Sequence, residues 1–363
     1  MGLHRVRIID GALGRKPFVG EHFMSRRFLC SLFIILLFAM SAPASAPDYR
    51  VINVFKVGGD GGWDHLTADP SARRIYISRS TRVMVVDADS GKPIGEITDT
   101  PGVHGIALAP ELGRGFTSNG GDGTVTIFDI KSLITAGKVE VGKNPDAILF
   151  DPATRRVFTF NNGSRDSTVI DAAEGTVLGT IKLGGSPRVA ASDGKGEIFV
   201  NIEDSSELVA IDSNEMKVKA RWPLAPCQSP YGLAMDHRNR RLFVGCENQM
   251  IAVVNADSGK VVSTLAIRPG VDAVTYDDET GLAFATCFKG FLNVIRENSP
   301  NQFSVAESIP TLLGARTLAL DAKTHNVFVV TAQYGPLLPP SDKVEHYRRS
   351  LIPDSFVVLV VGK

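Results

Sequence analysis

Seven polar residues recur at almost one spacing. Asp64, His104, Asp146, Arg188, Tyr231, Asp272 and Arg316 stand 40, 42, 42, 43, 41 and 44 residues apart. Apolar runs follow them, as in Ile106-Ala-Leu, Ile148-Leu-Phe, Leu233-Ala-Met and Val274-Thr-Tyr. One polar side chain per repeat, at one register, converges into a ring if the repeats close a circle. Three kinds of chemistry suit such a ring. Asp64, His104 and Asp146 offer two carboxylates and an imidazole, a donor set for a divalent metal ion. A metal-polarised water there would make a hydrolase or lactonase. Arg316–Asp64 and Asp146–Arg188 would instead be ion pairs neutralising a buried rim, since charges taken from water must be matched. Arg188, Tyr231 and Arg316 would also make an arc for an anion. The residues alone leave all three open.

The elements that must position the ring follow from a second mark, five residues further on: Asp69, Ala109, Asp151, Asp193, Asp236, Asp277 and Asp321. The third copy is the clearest. Residues 146–151 read as an apolar strand, and Asp151-Pro-Ala-Thr-Arg-Arg as a turn. Residues 157–160, 167–171 and 177–183 read as three more strands, rich in β-branched and aromatic residues and separated by Asn, Asp and Gly. No stretch shows helical periodicity. Four short antiparallel strands in a unit of about 42 residues predict an all-β, seven-bladed propeller over residues 47–363. Residues 50–57 resemble a fourth strand, and the last copy lacks one. The N-terminal strand is therefore expected to complete the last blade and close the ring. Residues 334–355, with Pro336, Pro339, Pro340 and Pro353, read as a long loop in that blade, either a lid or a plug.

The loops after the second strands should surround the ring's mouth. They offer Arg79, Asn119, Asn161, Asn162, Glu203, Glu247, Asn248 and Lys289. His65 adjoins Asp64, and strand alternation should turn it away from the channel. His237 and His325 fall in turns toward the opposite face.

Residues 1–46 read as a leader. Arg26-Arg27, the apolar run Phe28–Met40 and Ala44-Ser45-Ala46 are the three parts of a secretory signal in order, with Met24 as the natural start. The run is short for a membrane span, so no transmembrane segment is expected in the mature form. The expected location is periplasmic or secreted. The chain carries 39 basic and 39 acidic residues, and without the leader 33 against 37, a net of −4. A mildly acidic body does not suit general nucleic-acid binding. Cys227, Cys246 and Cys287 remain after the leader, with no C-x-x-C. Cys227–Cys246 is the favoured pair, because adjacent antiparallel strands bring those positions together; three buried free thiols are the alternative. No G-x-S-x-G, phosphate loop or H-E-x-x-H occurs.

Arg73-Arg-Ile-Tyr-Ile-Ser78, Arg155-Arg-Val-Phe-Thr-Phe160 and Arg240-Arg-Leu-Phe-Val-Gly245 resemble the core of the YVTN propeller repeat. Val85-Val-Asp87 with Gly91-Lys92, and Val253-Val-Asn255 with Gly259-Lys260, resemble its second half. The resemblance covers residues 50–363 and implies a secreted, YncE-like, seven-bladed propeller. Gly115-Phe-Thr117 and Ala283-Phe-Ala285 depart from the pattern. The family shares no single activity. The expected role is a monomeric, non-enzymatic binding or scaffold protein of the cell envelope, holding a small molecule or protein partner at the channel mouth. The alternative is the metal-dependent hydrolase. A redox propeller beside a quinone or haem enzyme is a third option, with no cofactor ligand set behind it.

Overall fold

The computed structural model describes residues 47–339 and 348–363; the leader and the Met24 start lie outside the described residues. The chain forms seven four-stranded antiparallel sheets arranged as a propeller, plus one two-stranded ribbon. One 3₁₀ turn, Pro110–Leu112, interrupts the strands. No helix among the described residues is long and apolar enough to cross a membrane. In blade 3 the strands are Pro145–Asp151, Arg156–Asn161, Asp166–Asp171 and Val177–Lys182, within a residue of the sequence reading.

Blade 7 takes three strands from the C-terminal part of the chain and its outermost from Arg50–Lys56. Arg50 pairs with Gly362 and Lys56 with Val357, so both ends of the propeller share one sheet. Within the long loop expected at residues 334–355, some of the described residues are ordered into strands. They form a ribbon of Tyr334–Leu338 against Arg348–Leu351. The prolines permit this because Pro336 falls in a strand with a neighbour on one side only among the described residues, and Pro339 comes just after that strand ends.

Burial explains why the second strands are the loudest part of the repeat. One aromatic per blade, Tyr76, Phe116, Phe158, Phe199, Phe243, Phe284 or Phe328, occupies the same register, and all are fully buried. Each contributes roughly 2–3 kcal/mol of apolar burial. The cores lie between blades. Phe199 and Leu208 of blade 4, for example, pack with Leu233, Leu242 and Val244 of blade 5. Blades approach closely enough that a Cβ on Gly259 would lie 1.9 Å from the Trp222 ring, and its φ of +69° suits glycine in any case.

The Arg-Arg pairs are clasps between blades. The first Arg reaches back to the preceding blade's turn aspartate: Arg73 to Asp321, and Arg240 Nη1 to Asp193 Oδ2 at 2.9 Å. His325 Nδ1 takes the same place 2.8 Å from Asp277. The second Arg reaches forward to the next blade's backbone. Arg156 Nη1 donates to Ser213 O at 2.6 Å, and Arg241 Nε to Pro300 O at 2.6 Å. Arg155 is the exception. Blade 2 has Ala109 where the aspartate belongs, and Arg155 is exposed. Arg240→Ala is therefore expected to cost about 2 kcal/mol, because it strips a buried carboxylate of its cation. Arg155→Ala should stay within about 0.5 kcal/mol. Urea midpoints of the two variants check the contrast.

Cys227 and Cys246 form a disulfide with Cα atoms 5.4 Å apart and a separation of 19 residues. Closing a loop of that length limits the unfolded chain by about 3 kcal/mol. Reduction by dithiothreitol should lower the unfolding free energy by that amount, read from urea titrations with and without reductant. Cys287 is buried, and burial pushes its thiol up to about 11, so it stays protonated.

Candidate functional site

A bulge at the head of the inner strand builds the ring in most blades. In blade 3, Pro145 pairs with Asn161 and Ile148 with Thr159, so Asp146 and Ala147 together oppose Phe160. The same register shift follows Val103, Pro187, Pro230 and Val271. In blade 1, Ser78 bonds both neighbours: Asp64 N donates to its carbonyl, and its own N–H donates to His65 O at 3.1 Å. Side chains on the preceding blade tie down the carbonyls of the bulge. Ser78 Oγ donates to His104 O, Ser118 Oγ to Asp146 O, and Thr286 Oγ1 to Arg316 O. Asn201 Nδ2 reaches Tyr231 O at 3.1 Å. The ring backbone is thus hydrogen-bonded where the ladder fails to pair it.

None of the seven ring residues is exposed. His104 Nδ1 lies 2.6 Å from Asp64 Oδ2 and 4.0 Å from Asp146 Oδ1. Arg188 Nη1 donates to Asp146 Oδ2 at 2.9 Å, and its Nε donates to Glu203 Oε2 at 2.6 Å. The Arg188 guanidinium lies 4.8 Å from the Tyr231 ring centroid. Asp146 and Arg188 are therefore joined. Arg316 is not paired with Asp64. It turns to the other neighbour, with Nε 3.8 Å from Asp272 Oδ2 and Nη2 donating to Trp63 O at 3.1 Å. Asp64 is occupied by the imidazole of His104, which leaves Arg316 the carboxylate behind it.

His65 overturns the alternation argument. It precedes the regular strand Leu66–Asp69 and sits in the bulge, where two successive side chains fall on one side. Its Nε2 lies 3.8 Å from Asp146 Oδ1, an ion-pair distance rather than a hydrogen bond. The sequence carries a signal for this. The residue after each ring position is Gly105, Ala147, Val189, Gly232, Ala273 or Thr317 in the other blades, and only His65 is long enough to reach the axis. His65 also lines a cavity of ≈ 400 Å³, together with Val189, Ala273 and Leu318.

Burial works against ionising Asp64 and Asp146, but His65 and His104 outweigh it. Both carboxyls lie below their ordinary range, Asp146 at about 2. His65 is likewise opposed by burial and held charged by Asp64 and Asp146, at about 9. The hydrogen bond that His104 donates to Asp64 raises His104. Asp272 goes the other way. Burial lifts it to about 6 despite Arg316 and His65.

Asp64, His65 and Asp146 each offer one ligand atom, all within 4.8 Å of one another. The donor set for a metal thus contains His65, whereas the Nδ1 of His104 is committed to Asp64. A metal would have to displace the His65 proton and share Asp146 with Arg188. No Ser, Thr or Cys side chain among the described residues bonds either imidazole.

The upper loops are mostly structural. Arg79 is buried, donates to the carbonyls of Gly58, Gly59, Asp60 and Gly61, and lies 3.9 Å from the Phe356 ring centroid. Asn119 and Asn161 each donate across their own hairpin to a threonine hydroxyl of the following strand, Thr126 and Thr168. Asn162 Nδ2 reaches Pro187 O at 3.4 Å, and Asn248 braces the disulfide loop through Gln228 N and Pro226 O. Glu203 alone of these joins the ring. His237 is exposed beside Asp278.

No family model matches the chain, and no curated protein matches it. Solved structures do. The WD40 repeats of RRP9 superpose with a TM-score of 0.71 at 11% identity, covering 88% of this chain and 99% of that one. U3-55K gives 0.70 at 11%, covering 87% and 99%. Hydrazine synthase from Kuenenia stuttgartiensis gives 0.65 at 14%, covering 81% and 95%. The chain is a seven-bladed β-propeller with WD40-repeat structural neighbours. At these identities the likeness shows the fold alone, and the ring residues owe nothing to it.

Proposed function

We propose that the protein is a non-enzymatic binding propeller of the cell envelope, YncE-like in its YVTN phrases, that holds a polar ligand or partner segment at the mouth of its ring. One observation carries this reading. The cationic side chains Arg188, His65 and His104 each have a carboxylate at the ring, and Arg188 occupies Asp146. Charges already spent on one another form a rigid, neutralised rim, which suits recognition better than activation of a water. The leader supports the envelope location, and the repeated Arg-Arg-aromatic phrases support the family.

Elemental analysis of the purified wild type, His65→Ala and Asp146→Ala tests it. No stoichiometric metal is expected in any of them. A thermal-shift screen of polar small molecules should give hits that weaken in Arg188→Ala. The convergence of Asp64, His65 and Asp146 favours one rival, a divalent-metal hydrolase. A stoichiometric metal lost in both variants would put that reading in place of the binding protein.

A further inference from the structure

Exposed apolar side chains scattered singly on a surface need no explanation, but a cluster does. Phe288, Leu312, Leu313, Leu337, Leu338 and Ile352 are all exposed, and all belong to blades 6 and 7. Leu312, Leu313, Tyr334 and Ile352 line one cavity of ≈ 420 Å³. The Phe288 ring centroid lies 6.1 Å from that of Tyr334, and Leu337 and Leu338 extend from Tyr334 along the ribbon. The other side of Tyr334 faces Trp63, centroids 6.3 Å apart, whose carbonyl holds Arg316. The patch therefore borders the ring's mouth on the same face.

We infer that this face docks an extended segment of a partner protein, apolar at alternate positions and acidic between them, added as a third strand to the ribbon. Two features commit it to that occupant. The first is hydrogen-bonding chemistry. Among the described residues the ribbon is a sheet of two strands only, so Arg348–Leu351, which carries no proline, has an outer edge open to a new neighbour, whereas Pro336 lacks the N–H that the edge of the other strand would need. A two-stranded ribbon is marginal alone, and a third strand supplies the missing ladder. An added strand presents side chains at a period of two, so one in two turns toward the cavity. The second is charge. Arg349 lines the cavity and Lys289 follows Phe288 in the chain, and among the described residues neither has a carboxylate at ion-pair distance. The concave cavity suits an inserted side chain, whereas a bilayer would be met by projecting apolar tips. The patch shares no residue with the ring, and the inference holds whether or not the ring takes a ligand.

Fluorescence anisotropy on the full chain, with labelled peptides alternating leucine and glutamate or leucine and lysine, tests the inference. The glutamate peptide should bind with a Kd in the micromolar range and about 10-fold more tightly than the lysine peptide. Leu313→Asp should weaken it about 10-fold, and Arg349→Glu should reverse the charge preference. Both positions are exposed, so folding is not at stake. A glutamate peptide N-methylated at alternate residues should lose binding, because it cannot complete the ladder. Equal binding of both charge types, or indifference to Leu313→Asp or to N-methylation, would overturn the inference. So would two other results. One is sedimentation with phosphatidylglycerol vesicles that depends on Leu313 while the peptide fails to bind, which assigns the patch to a lipid surface. The other is a Leu313-dependent dimer in sedimentation velocity, which assigns it to a second copy.

Discussion

Asp146→Ala is expected to destabilise the protein by about 3 kcal/mol, the cost of breaking a buried ion pair from one side. Asp146 contributes little apolar surface, so a packing account would predict far less. Its carboxylate accepts from Arg188 at 2.9 Å and faces His65 at 3.8 Å, and only 10% of its side chain is exposed. Removing it leaves Arg188 on Glu203 alone and His65 with Asp64 and the weaker pull of Asp272, all in the same confined mouth. The penalty arises from the cations that remain, so it should shrink when one of them goes too. Asp146→Ala combined with Arg188→Met should cost less than the two single changes summed, with a coupling of roughly 1–3 kcal/mol. Urea titrations at neutral pH read this directly, provided the slope with denaturant is unchanged. The His65 imidazole resonance should also titrate at lower pH in Asp146→Ala. A single-variant cost under about 1 kcal/mol would mean that the mouth is effectively solvated, and the neutralised-rim account would fail.

The propeller is legible in the sequence because its signals are redundant. A turn aspartate, an aromatic and a β-branched strand recur in nearly every copy, so the loss of Asp at Ala109 does not hide blade 2. The ring register is legible for the same reason, since one polar residue per blade interrupts an apolar strand. The partners are harder to read. Asp146–Arg188 follows from adjacency around the circle, but adjacency does not say whether Arg316 turns to Asp64 or to Asp272. That choice depends on His104 taking Asp64 first, a contact between blades at 2.6 Å. His65 escapes the sequence pattern because period-two alternation holds only where the ladder is regular, and the ring sits on bulges. The ribbon at 334–355 is hidden by its prolines, which argue against a central strand but not against an edge. The meaning of the Arg-Arg phrase also lies between blades. The first Arg reaches one neighbour and the second the other, and a repeat read by itself shows neither.

Stability should fall as pH rises from about 4 to 9, in two steps led by the ring residues Asp272 and His65. Asp272 has a folded pKa of about 6 against an ordinary 3.8. Between those values the folded protein holds a proton that the unfolded chain has released, so raising the pH disfavours folding. The contribution is complete below pH 4 and lost above about 6. His65, at about 9 against 6.5, acts in the same direction one window higher. Its contribution is complete below about 6.5 and lost as pH passes 9. Asp146 acts oppositely in acid, where its depressed value of about 2 makes stability rise between pH 2 and 4. Each step is on the order of a few kcal/mol, because a tenfold change in proton affinity is worth about 1.4 kcal/mol. Burial lifts Glu297 to about 7, outside the ring, and Glu297 adds to the lower step. Urea midpoints across pH 3–10 should therefore peak near pH 4. Asp272→Asn should flatten the lower limb to what Glu297 leaves, and His65→Ala should flatten the upper limb to what the raised His104 leaves while lowering the acid plateau. A wild-type profile that rises through neutral pH would show that the mouth holds Asp272 ionised and His65 neutral. In that state Asp64, His65 and Asp146 would be free to take a metal ion, so the shape of one stability curve discriminates between the binding rim and its metal rival.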